Sequence, residues 1–167
     1  MRLLLILLLA ALPALAGGGK APTSTVSFHL EGGAGDGPKM VFKQLVAGKQ
    51  RHFRYTPEIT HKQVAAFHPF QSEAGDFGVA LQLNKIGRQR LYTFSTQHSG
   101  KWLAAQVNGR VVDAVIIDKG VTDGFIVIWK GISDPELQAL ELAIPRVGQS
   151  KEEWKKRVKQ LKKEFKK

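Results

Sequence analysis

The sequence predicts an α+β domain, and three observations between Phe77 and Gly131 carry that expectation. Val79, Leu81 and Leu83 alternate with Ala80, Gln82 and Asn84. Side chains on a strand point to opposite faces in turn, so this is a half-buried strand. A polar segment then runs to Gly100, with Ile86, Leu91 and Phe94 at spacings that place them on one side of a helix. Finally, the apolar runs Trp102–Val107 and Val111–Ile117 flank Asn108-Gly109. Asn-Gly readily takes the positive φ angles of a type I′ turn, so the two runs read as a hairpin. With Phe125–Trp129 as a further strand, the expected order is βαββ-β-α. That is a small antiparallel or mixed sheet with helices on one face, ferredoxin-like, followed by a basic amphipathic helix at the C-terminus.

The remaining elements follow in chain order. Residues 1–16 read as a secretory signal peptide: Arg2, the apolar run Leu3–Leu12, Pro13, and the small-x-small Ala14-Leu15-Ala16, with cleavage before Gly17. An uncleaved anchor is the alternative, but the run is shorter than the ~18–20 apolar residues that span a bilayer. Residues 17–24 (GGGKAPTS) are a linker by composition. Thr25–Leu30 alternates, offering Val26, Phe28 and Leu30 to a core, and Met40–Val46 is a second strand of imperfect period, apolar at Met40, Phe42 and Leu45. The Gly-rich Glu31–Pro38 between them reads as a hairpin loop. It lacks the Lys-Ser/Thr ending of a phosphate-binding loop. Glu58–Ala66 reads as a short helix or turn, and Phe67–Phe70 as a piece around Pro69. Residues 25–76 thus form an N-terminal set of strands and irregular segments, and 77–145 the core of the fold. Gly100 closes the first helix. Ser133-Asp134-Pro135-Glu136 opens a second helix with the stripe Leu137, Leu140 and Ile144, ended by Pro145.

The last segment, 151–167, carries nine basic and three acidic residues, while 17–150 holds a net charge of only +4 of the total +11. A nucleic-acid partner would have to be met by the tail alone, which disfavours that class. Within the tail, Trp154, Val158, Leu161 and Phe165 form a narrow apolar seam among Lys155, Lys156, Lys159 and Lys162. Such a segment docks its seam on the body, lies on a partner or an anionic membrane surface, or is a solvated fraying tail.

No constellation for catalysis emerges. The chain has no cysteine, which excludes thiol nucleophiles and Cys-ligated zinc. Its five histidines make neither HxH nor HExxH, although His52, His61 and His68 share one region with Glu58. Gly100-Lys101 lacks the preceding glycine of a P-loop and is followed by Trp102. Asp113, Asp118 and Asp123 read as a solvent-face residue and two turn residues. No cofactor is implied, and a hydrolase or metal enzyme built on His52–His68 is the least supported reading.

The central stretch resembles the soluble head of the first periplasmic domain of SecD, the accessory subunit of bacterial protein export. The residues that carry the resemblance are Val79-Ala80-Leu81, Phe94, Thr96, Gly100-Lys101, Leu103-Ala104, Asn108-Gly109, Val111–Ile117, Gly124, Ile128 and Gly131, with Glu136–Leu142 as the closing helix. About 55–145 is covered. What the resemblance implies is an α+β head outside the cytoplasm that contacts polypeptide. In that family the head is carried on membrane helices that couple it to proton flow. The expected function is therefore a secreted, non-enzymatic binding module, periplasmic or extracellular, meeting polypeptides or envelope proteins. A sheet edge that accepts an extended peptide is one physical form of such a surface. The alternative is an envelope-associated protein held to anionic membrane by 151–167.

Overall fold

A computed structural model describes residues 24–33 and 35–164, the last of these for its backbone only. The expected signal peptide, most of the linker and Phe165 lie outside the described residues.

Among the described residues, nine strands and three α-helices form the fold. The strands are β1 (Val26–Leu30), β2 (Val41–Val46), β3 (Lys49–Arg54), β4 (Ile59–Thr60), β5 (Val64–Gln71), β6 (Phe77–Leu83), β7 (Trp102–Val107), β8 (Arg110–Ile116) and β9 (Phe125–Ile132). The helices are α1 (Lys85–Gln97), α2 (Asp134–Ala143) and α3 (Lys151–Glu164). The order from β6 to α2 is the βαββ-β-α expected, and the class is α+β. The strands hydrogen-bond as two antiparallel sheets and a hairpin rather than as one small sheet: β4-β1-β7-β8, β5-β6-β9 and β2-β3. No described helix is long and apolar enough to cross a membrane.

Local chemistry explains the elements. In β6, Val79, Leu81 and Leu83 are all buried. Asn84 caps α1 by accepting a hydrogen bond from the Gly87 amide at 2.9 Å. Asn108 and Gly109 both have positive φ, 52° and 79°, as the type I′ hairpin between β7 and β8 requires. Ser133 and Glu136 cap α2 reciprocally, with Pro in the first turn.

One core joins both sheets. Val26, Phe28, Ile59 and Phe67 from 25–76 pack with Val79, Leu81, Leu91, Ile128 and Leu140 from 77–145. The N-terminal strands therefore belong to the same core. A second, smaller cluster lies where the β2-β3 hairpin covers the other side of the first sheet, through Phe42, Phe53, Trp102 and Ala104. Arg51 stacks its guanidinium 4.7 Å from the Trp102 ring there and pairs with Glu31.

Four expectations need correction. Ile86 is exposed, while Leu91 and Phe94 of the same helix are buried, because α1 presents only a narrow stripe to the core. Met40 and Leu45 are also exposed, because β2 pairs with β3 alone and only Phe42 and Val46 turn inward. The Gly-rich loop does not close a hairpin: β1 pairs with β4 and β7, and β2 with β3. The reading of 58–66 as a short helix or turn holds only for the single 3-10 turn His61–Gln63. Ile59–Thr60 is strand, and Val64–Gln71 is an eight-residue strand that includes Pro69. Proline is tolerated because β5 borders β6 on one side only, so its missing N–H breaks no ladder bond on the outer edge.

Candidate functional site

The two sheets meet along β8 and β9, and they meet incompletely. The pairing partners on their far sides determine which backbone groups face the seam. Leu83 donates its amide to Gly124 O at 2.9 Å, in register with Leu81↔Ile126 and Val79↔Ile128. Hydrogen-bonding direction alternates along a strand, so Gly124, Ile126 and Ile128 are turned to β6, while Phe125, Val127 and Trp129 are turned to β8. On the other side, Ile117 donates to Lys101 O at 2.9 Å, in register with Leu103↔Val115 and Ala105↔Asp113. By the same alternation, Ala114 and Ile116 are turned to β9.

No backbone ladder joins these two edges among the described residues. Side chains of β8 close one end instead. Asp113 accepts the Trp129 amide on Oδ2 at 2.8 Å and the Ala114 amide on Oδ1 at 2.9 Å. Arg110 donates to Gly131 O at 2.8 Å and to Glu136, while the Gly131 amide donates to Asp76. Gly131 stands at φ 89°, where a Cβ would lie 2.7 Å from Val112 O. The strands approach so closely there that only glycine fits. Asp113 is thus a structural clasp rather than the solvent-face residue expected.

Past the clasp the edges part over a cleft of about 350 Å³, floored by Leu91 and Phe94 of α1 with Leu103 and Ile126, and with Ile116 and Trp129 at its mouth. Ile116 and Trp129 are 52% and 58% exposed, and Trp129 meets the Phe70 ring edge-on at 6.1 Å. The polar group deepest in the cleft, Ser95 Oγ, donates to Tyr92 O and accepts the Val121 amide, so it is spent on structure. The free backbone groups of Val127 and Ile116 and the apolar floor offer main-chain hydrogen bonding beside hydrophobic burial, with the exposed Asp118 and Lys119 also on the cleft wall.

Two other clefts carry charged side chains on their walls. In the one lined by Gly32, Asp36, Lys43 and His52, Asp36 already accepts from the Gly33 amide and from Arg54 Nε. The backbone amide of Gly33, helped by Arg54, holds the Asp36 carboxyl below its ordinary pKa. The other cleft, between α1 and Arg54, carries Glu58, Arg90 and His98 on its walls. Among the described residues no group of three or more His, Asp or Glu is placed to hold a metal. His52, His61 and His68 are each exposed, on β3, the 3-10 turn and β5.

The other singled-out residues fall as follows. Gly100 and Gly124 both have positive φ; α1 is capped at His98, two residues before the expected Gly100, whose amide donates instead to Ile117 O, and Gly124 opens β9. Lys101 accepts the Ile117 amide through its carbonyl. On α3, Leu161 is buried and Trp154 and Val158 are half-buried, while Lys155, Lys156, Lys159 and Lys162 are exposed. Trp154 Nε1 donates to Glu141 O at 3.0 Å, so this seam lies against α2. The open strand edges had a partial signal in sequence: the polar stretch Asp118–Gly124 is too long for a tight turn between β8 and β9. The clasp had none.

No protein-family profile matches the chain, and a comparison with curated proteins finds no match. Solved structures do match. One, described as the structure and function of a membrane component SecDF that enhances protein export, aligns with a TM-score of 0.50 at 19% identity over 70% of this chain. A second, SecDF in a super-membrane-facing form, aligns with a TM-score of 0.50 at 19% identity over 68% of this chain. The chain spans 59% of the first and 17% of the second. The fold is SecD-like.

Proposed function

We propose that this chain is a non-enzymatic polypeptide-binding module of the export setting, acting outside the cytoplasm, and that an extended segment is taken up at the seam between β8 and β9. The carrying observation is the pair of facing strand edges, at Val127 and at Ile116, left without a ladder above an apolar floor. An added strand would satisfy those backbone groups whatever its sequence, and alternate side chains would enter the cleft. Sequence tolerance of this kind suits a module that meets many unfolded chains. The SecD-like fold and the leader-like first 16 residues support the same setting.

The test is binding of a reduced, carboxymethylated unfolded polypeptide to the chain lacking residues 1–16. The reading expects saturable binding that weakens about tenfold or more in Ile116→Lys and in Trp129→Ser, since an apolar contact of this kind is worth roughly 1.5–3 kcal/mol. Met40→Lys, on the distant hairpin, should bind as the parent does. Absence of saturable binding, or equal binding by the two seam variants, contradicts it.

A further inference from the structure

Helix α3 divides its side chains between two tasks. The seam is committed to the body: Leu161 is 5% exposed, Trp154 is hydrogen-bonded to α2, and Arg157 reaches the buried Glu141 carboxylate, which Arg146 also pairs. At 100° per residue, Lys155, Lys156, Lys159, Lys162 and Lys163 fall within an arc of about 120° whose centre lies about 130° round the helix from that seam. All five are exposed. From Lys155 to Lys163 every exposed side chain is Lys, Arg or Gln. Glu152 is the one acid sharing the arc, in the first turn, and Glu153 is turned to the Ser150 amide as a cap.

We propose that this lysine face holds the protein against an anionic phospholipid surface by charge alone, with no side chain inserted. The docked seam separates this from a membrane-surface helix, whose Trp and Leu would enter the acyl boundary. Here those residues are occupied. The five ammonium groups instead match a sheet of lipid phosphates, and their flexible stems need no fixed geometry. The inference stands on α3 and does not depend on peptide uptake at the β8–β9 seam.

The test uses the chain without residues 1–16, so that the leader-like run adds no affinity of its own. Co-sedimentation is measured with vesicles of phosphatidylcholine alone and with phosphatidylglycerol added. Binding is expected to the anionic vesicles only, and to weaken about tenfold or more as salt rises from about 50 to about 300 mM, because exposed charges are screened within ~10 Å. The quadruple variant Lys155→Gln, Lys159→Gln, Lys162→Gln, Lys163→Gln should lose that binding with its melting temperature unchanged, and Trp154→Phe should retain it. Binding to neutral vesicles, binding indifferent to salt, or no binding overturns the proposal. So does tighter binding to a DNA duplex than to the anionic vesicles.

Discussion

His29 shows how a single residue can set a property of the whole. It sits on β1 with its ring buried, Nδ1 2.8 Å from Arg54 O and Nε2 2.8 Å from Ser27 Oγ. A carbonyl only accepts, so Nδ1 carries the hydrogen and Nε2 accepts from the serine: the neutral imidazole satisfies both partners. Burial lowers its pKa from 6.5, against smaller raising effects of the Arg54 carbonyl and Glu58. Below about pH 6.5 the unfolded chain therefore takes up a proton that the folded ring resists. Its contribution is full above that pH and is lost as pH falls toward the folded value. Melting temperature should drop between pH 7.5 and pH 5, and His29→Gln should flatten the drop. Gly131 offers a second test. Its positive φ and the 2.7 Å approach to Val112 O make Gly131→Ala destabilising by about 2 kcal/mol or more, read by denaturant unfolding. Neither role was legible beforehand. The alternation of 25–30 identifies Val26, Phe28 and Leu30 as core, and His29 on the opposite face is buried only because the β2-β3 hairpin brings Phe42 to within 5.4 Å of its ring.

Elements were legible where local chemistry decides them. Asn108-Gly109, the Ser133–Glu136 cap and the alternation of β6 each hold in the structure, because turn, cap and pleat are set by neighbours in sequence. Val64–Gln71 was missed because its strand identity comes from pairing with β6 across the chain, which Pro69 and the mixed polarity of the stretch conceal. Helix α3 was legible as an amphipathic helix, but its docking was one reading of three. The docking makes its own prediction. Trp154→Phe keeps the ring's packing and leaves Glu141 O without its donor, so unfolding stability should fall by about 1 kcal/mol. A loss near zero in a urea titration would show α3 detached from α2 in solution.

At the scale of the whole molecule, the fold is two sheets that share a core and are clasped at one end. Arg110 and Asp113 hold β8 to β9 there, and the far end stays open. The resemblance read from glycines and apolar positions reached the right fold, because those positions are what turns and cores demand. It could not reach the seam, because whether two strand edges pair depends on how the sheets twist together rather than on either strand's residues. The central claim is that Val127 and Ile116 present unpaired amides in the free protein. Residue-resolved amide hydrogen exchange tests it most directly. The account predicts fast exchange at Val127 and Ile116 beside protected Ile126, Ile128 and Val115, with Val127 or Ile116 slowed when an unfolded polypeptide is added. Protection of both amides in the free protein would mean that β8 and β9 are already paired, and would contradict the account.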